Sequence, residues 1–204
     1  MTIEVQGLAC TRGDRLVFAD VAFQLAKGGV LAVEGLNGAG KTSLLRVLAG
    51  FLEPSAGSVC FVSGRERVAE AEERAKLVGW LGHADAARSQ LTPLELLHDF
   101  AALYCSAVDA HAALDRVGLA KLASLPCRYL SAGQKKRLAL ARLLVCNRVI
   151  WLLDEPLAAL DSQGKALASS LIQGHCVTGG IAVVATHEPL NLESVGLRLG
   201  SESS

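Results

Sequence analysis

Aromatic residues make up only 4% of this 204-residue chain, and Lys plus Arg balance Asp plus Glu at twenty each. With no net charge and no basic stripe, no nucleic-acid partner is expected. The longest strongly apolar run, Val149 to Leu153, is far short of the roughly 20 residues that cross a bilayer. Nothing at the N-terminus, MTIEVQGLAC, resembles a charged segment leading into an apolar export signal. The six cysteines show no CxxC spacing, so they are expected to be reduced thiols in a cytoplasmic protein. What the chain does have is Ala, Leu and Val in quantity, which suits a parallel sheet buried on both faces. Its length allows one sizeable core, with or without a small appended lobe.

Local patterns predict strands at Ile3–Val5, Leu16–Leu25, Val30–Val33, Ser58–Val62, Leu77–Leu81, Val149–Leu153 and Ile181–Ala185. Helices are expected from Lys41 to about Phe51, along the charged run Glu66–Lys76, and near Asp161–Gln173. Between about 84 and 146 the periodicity is helical only, with Pro93 in a first-turn position followed by Leu94, Leu97, Phe100, Ala101 and Tyr104. The tail from Ser201 to Ser204 is expected to fray.

The segment Gly35-Leu36-Asn37-Gly38-Ala39-Gly40-Lys41-Thr42, followed by Ser43, is a GxxxxGK[ST] loop between a strand and a helix. Its glycines let backbone N–H groups converge on phosphate oxygens, and the helix N-terminus adds its dipole. Lys41 brings positive charge to the terminal phosphates, and Thr42 offers a hydroxyl to Mg2+. The apolar run Val149–Leu153 then delivers Asp154 and Glu155 at a strand's C-terminal end, where open parallel sheets bind ligands. Asp154 can organise the metal ion, and Glu155 is the candidate base for an attacking water. His187, just past the strand Ile181–Ala185, is placed to reach a terminal phosphate. Leu130-Ser131-Ala132-Gly133-Gln134 opens a further helix with a Ser and a Gly, a surface suited to closing over a phosphate held elsewhere.

These motifs, in this order, resemble the ATP-binding cassette family of transporter motor domains across essentially the whole chain. The resemblance implies a P-loop α/β fold: a mostly parallel sheet with N-terminal antiparallel strands, a RecA-like core of about 1–83 and 136–200, and an inserted helical lobe of about 84–135. It implies a homodimer in a head-to-tail ATP sandwich, in which Ser131, Gly133 and Gln134 of one copy close over ATP held by the other. Asp161 matches the loop linking the two sites, and Glu155 and His187 match the base and the phosphate-sensing switch. With no membrane span in the chain, a separate transmembrane subunit must dock on the lobe, near Trp80, His83, Leu91, Leu94, Leu97 and Phe100. Simple core packing is an equal reading of those side chains.

Within the family, Trp80-Leu81-Gly82-His83, Leu91-Thr92-Pro93-Leu94-Glu95, Ala132 in the signature, Lys135-Lys136-Arg137 and Thr186-His187-Glu188-Pro189-Leu190 are similar to the CcmA-type ATPases of bacterial cytochrome c maturation. That likeness implies a peripheral protein on the cytoplasmic face of the inner membrane, a CcmB-like membrane subunit, other haem-handling membrane proteins, and haem as cargo. An exporter of another substrate and a soluble ATPase outside transport remain alternatives. The chain departs from the family's pattern twice. Ala84 stands where a Gln usually senses the metal, with Gln90 six residues late, and the adenine-stacking aromatic is replaced by Cys10-Thr11-Arg12-Gly13-Asp14-Arg15. Arg12 is a candidate for stacking on the base, because a guanidinium can lie on a ring face.

Overall fold

The structure is a computed structural model, and it describes residues 1–82 and 90–200. His83 and Ala84 lie outside the described residues, as does the tail from Ser201.

Two sheets frame the molecule. β1 (Thr2–Arg12), β2 (Arg15–Ala26), β4 (Ala56–Ser63) and β5 (Glu66–Val68) form an antiparallel sheet in the order β2-β1-β4-β5. The second sheet is parallel and runs β6 (Val78–Leu81), β7 (Ile150–Asp154), β8 (Ile181–Ala185), β3 (Val30–Glu34) and β9 (Val195–Arg198). Its inner strands read as continuous apolar runs because both faces are covered. Along β7, Ile150 and Leu152 join one core while Trp151 and Leu153 join another; β8 divides Ile181, Val183 and Ala185 from Ala182 and Val184 in the same way. The first core packs the antiparallel sheet and α1 (Lys41–Leu48) onto the parallel sheet. On the opposite face lie α3 (Pro93–Leu103), α4 (Ala110–Arg116), α5 (Ala132–Cys146) and α6 (Ser162–Val177).

Sequence pattern and structure part at three places. Glu66–Lys76 is not one helix: Glu66, Arg67 and Val68 pair with Ser63, Val62 and Phe61 as β5, and α2 spans Ala71–Leu77. The turn at Gly64, with φ +60°, sends the chain back along β4 and overrides the helical propensity of the charged residues. β1 and β2 extend well beyond the expected Ile3–Val5 and Leu16–Leu25, and β9 has no counterpart among the predicted strands. Its four residues make an edge strand of mostly exposed side chains, too short for a period-2 pattern to stand out.

The side chains considered for docking divide. Leu97 is fully buried core, Leu91, Leu94 and Phe100 pack against the same core while remaining partly accessible, and Trp80 is half-buried with its ring edge-on to Phe51 at 5.4 Å. Among the described residues no helix is long and apolar enough to cross a membrane. All six cysteines are free thiols.

Candidate active site

The phosphate loop links β3 to α1, and its geometry depends on glycine. Gly38 and Gly40 have φ of +84° and +97°, in the left-handed region. A Cβ on Gly40 would lie 2.5 Å from Val17 Cγ1, so a side chain there would push the β1–β2 hairpin away. Lys41 folds back over the loop it follows: its Nζ donates to the carbonyl oxygens of Gly35 at 2.7 Å and Leu36 at 3.2 Å. Lys41 is 7% exposed, and its ammonium has no carboxylate partner among the described residues. A buried cation held by carbonyl dipoles, beside the open N–H groups of a helix start, is a ready site for a polyanion.

The acidic pair arrives from β7. Asp154 is the strand's last residue, 3% exposed, and its Oδ2 accepts a 2.9 Å hydrogen bond from Thr42 Oγ1. That bond ties the first turn of α1 to the end of β7 and sets two hard oxygens side by side. Glu155 follows at φ +49°, a left-handed conformation that costs a non-glycine residue of order 1 kcal/mol. Its N–H donates to Ala185 O at 2.9 Å, which holds the turn against the end of β8. The carboxylate Oε2 lies 2.9 Å from His187 Nδ1, with the Glu155 side chain 12% exposed and the His187 ring 59% exposed.

His187 sits on a short, braced turn. Thr186, buried, donates from its N–H to Val33 O at 3.2 Å and from Oγ1 to Glu188 O at 3.0 Å, while Glu188 N–H donates back to Thr186 Oγ1 at 2.9 Å. Lys165 of α6 pairs with Glu188, anchoring the turn from the other side.

One cavity of about 540 Å³ gathers these groups. Asn37, Gly38, Gly40, Lys41, Thr42 and Ser43 form one wall, and Asp154, Glu155, Ala158 and His187 a second. A third wall comes from the β1–β2 hairpin through Arg12, Arg15 and Val17. Gly35, Leu36 and Ala39 shape the loop without lining the cavity: Gly35 and Leu36 supply the carbonyls that seat Lys41, and Ala39 packs toward the core. Val17 belongs to no local motif, while Arg15 and Ala158 lie in the stretches that hold Arg12 and Asp161; packing against the loop and the turn brings all three to the cavity.

Ser131, Gly133, Gln134 and Asp161 lie outside this cavity. Ser131 caps α5 in a reciprocal box, its Oγ accepting from Gln134 N–H at 3.2 Å while Gln134 Oε1 accepts from Ser131 N–H at 2.8 Å. Gly133 packs so closely on the loop after Glu155 that a Cβ would lie 3.0 Å from Ala159 O. Asp161 caps α6, with Oδ1 accepting from Gly164 N–H at 2.7 Å. Gln90, the late glutamine, accepts from Arg128 Nη1 at 2.9 Å and is bound up within the helical region.

The ABC transporter family profile matches residues 18–158. The chain belongs to that family. Among relatives of this ABC ATPase is the cytochrome c biogenesis ATP-binding export protein CcmA of Rhodopseudomonas palustris strain HaA2. The two are 46% identical over 204 residues, covering 98% of this chain and 99% of the relative. The protein of the same name from Dechloromonas aromatica is 44% identical, covering 96% and 97%. An ABC transporter ATP-binding protein from Pyrococcus furiosus shares the fold at a TM-score of 0.85 with 23% identity, covering 98% of each chain. The chain is thus an ATP-hydrolysing cassette of the transport type.

Proposed function

We infer that this ATPase is the motor subunit of an export complex serving cytochrome c biogenesis, with haem as the cargo and a CcmB-like transmembrane subunit as the docking partner. The observation that carries the catalytic part is the convergence of Lys41, the Thr42–Asp154 bridge and the Glu155–His187 contact in one cavity. The assignment to cytochrome c biogenesis is supported by relatives of that name matched over nearly the whole chain. The protein sits peripherally at the cytoplasmic face of the inner membrane, held there by its partner.

In this reading Lys41 and the N–H groups of the loop bind the triphosphate, and Glu155 takes the proton of the attacking water. His187, held by Glu155 and by its braced turn, lines the water up with the terminal phosphorus. Thr42 Oγ1 and Asp154 Oδ2, 2.9 Å apart, are hard oxygen donors that fit Mg2+, an ion that takes few protein ligands and completes its shell with water and phosphate oxygens. When bound, Mg2+ would neutralise charge on the phosphates and orient them. Ser131, Gly133 and Gln134 act in trans: their helix start closes over ATP in a second copy, and Asp161 lies on the loop that connects the two sites. ATP binds the closed pair more tightly than the open one, so its binding shifts the population toward closure and its hydrolysis releases it. The helices from Pro93 onward to about 135 form the arm that carries this movement to the membrane subunit.

The test replaces the chromosomal copy with Glu155→Gln or Lys41→Ala and measures haem covalently attached to periplasmic c-type cytochromes. Loss of attached haem, with the apocytochromes still made, is the expected result. Normal maturation in both strains would rule out the assignment, and normal maturation together with loss of a different exported compound would point to another cargo.

A further inference from the structure

Past Thr186 the chain leaves β8 and runs on to β9 with few backbone ties. From His187 to Glu193 no backbone group bonds to another backbone group among the described residues, so side chains set the shape of the turn. Thr186 Oγ1 closes it from within through Glu188, and Leu190 and Leu192 pack on the core that the helices cover. Two polar contacts then reach other elements: the His187 ring meets Glu155 Oε2, and the Glu188 carboxylate pairs with Lys165 Nζ.

Both contacts land on one stretch of chain, from the end of β7 to the first turn of α6. Glu155 opens it, Asp161 caps the helix that closes it, and Lys165 donates its N–H to Asp161 O at 2.9 Å. The stretch from Glu155 to Lys165 and the turn from Thr186 to Glu188 are therefore tied at both ends. His187 and Glu188 share one peptide plane, which is rigid, so a shift of Glu188 carries the histidine with it. The ring needs such control, because at 59% exposed it has little packing to fix its aim. With Nδ1 facing Glu155, Nε2 is the nitrogen left to meet a water or a phosphate oxygen in the cavity that His187 lines.

We propose that Lys165 and Glu188 are positioning residues for hydrolysis, their ion pair setting the turn that aims the His187 ring, so that they govern turnover and leave ATP binding alone. The proposal rests on the reading of His187 given above. Stability gives the pair no comparable reason: the side chains are 36% and 29% exposed, and ion pairs this open to water add little to folding. Neither residue lines the cavity, and the phosphates are seated on another wall by Lys41 and the start of α1, so ATP binding is independent of the pair. A small error in the aim of an attacking water, by contrast, costs rate steeply.

The experiment determines kcat and KM for ATP by phosphate release from the full chain, in the parent and in Lys165→Met, Glu188→Gln, Lys165→Arg, His187→Ala and Lys165→Met combined with His187→Ala. Circular dichroism confirms that each variant folds. Lys165→Met and Glu188→Gln should each lower kcat about tenfold, with KM within about twofold of the parent. Lys165→Arg, which keeps the charge and the reach, should stay within about threefold. On the His187→Ala background, Lys165→Met should lower kcat no further, because residues that act through one group are not additive. A loss that recurs in full on that background overturns the proposal, since it would come from general damage and not from the histidine. So does parental kcat in both single variants, a raised KM at unchanged kcat, or a loss in Lys165→Arg equal to that in Lys165→Met. A His187→Ala variant that turns over at the parental rate overturns the reading of His187 as well, and a parent that releases no phosphate overturns the catalytic roles on which both stand.

Discussion

Glu155 combines a strained backbone, a nearly buried carboxylate and a 2.9 Å contact to His187, a combination that makes sense for a group whose proton affinity and position matter to a reaction. Glu155→Gln keeps the shape and removes the proposed base. ATP should still bind with near-parental affinity while steady-state turnover falls by at least about 100-fold, read by phosphate release. Retained turnover would remove Glu155 from the role of base. A second residue-scale effect concerns His175, whose ring stacks on Trp151 with centroids 4.0 Å apart and whose Nε2 lies 3.1 Å from Val149 O. Burial lowers its pKa, so the folded chain resists a proton that an unfolded chain takes up near pH 6.5. The unfolded state then binds more protons, and stability is full above about pH 6.5 and drains as the pH falls below it. Thermal melts between about pH 7.5 and about pH 5.5 should show this slope in the parent and a flatter one in His175→Phe, which keeps the stack without the titrating ring. Equal slopes would assign the acid sensitivity to other groups.

At the scale of the element, α1 matters most, since it carries Lys41 and Thr42 at one end and must be fixed at the other. Gly50 does the fixing: its φ is +79°, and a Cβ there would meet Ala71 O at 2.4 Å, where backbone cannot yield. Gly50→Ala should cost about 2 kcal/mol or more, combining left-handed strain with overpacking, measured as a lowered denaturant midpoint. An unchanged midpoint would mean that α2 can shift away without loss. The same logic explains which elements were legible. The phosphate loop, the capping box of α5 and the apolar strand β7 announce themselves because each is a contiguous pattern with its own physics. β5 was masked by charged residues with helical propensity, and β9 is too short and exposed to stand out. Their strand state comes from pairing with β4 and β3, a non-local cause.

For the whole molecule, the feature to explain is that Ser131, Gly133, Gln134 and Asp161 stand apart from the cavity, engaged in capping and close packing. The proposed head-to-tail pairing would give them a nucleotide to act on, and it would make closure separable from binding. Ser131→Arg puts a bulky cation at an exposed helix start, so each monomer should bind ATP as the parent does while ATP-dependent dimerisation is lost, followed by light scattering in the Glu155→Gln background. Loss of the Ser131 cap should lower stability by about 1 kcal/mol, too little to unfold the domain. Dimerisation equal to the parent would sink the trans role of the signature.

The sequence alone determined the family, the order of strands and helices around the phosphate loop, and the placement of Asp154 and Glu155 at the end of an apolar strand, because these are written in short runs whose spacing carries its own chemistry. The tertiary structure decided what meets what. Thr42 and Asp154 are 112 positions apart and bonded, Glu155 reaches His187 across neighbouring strands, and Arg12 and Arg15 turn from a polar hairpin tip into a cavity wall. Those meetings follow from the strand order β6-β7-β8-β3-β9 and from the antiparallel sheet packing over α1. Both are settled by burial of apolar faces between distant segments, which no local window of residues encodes.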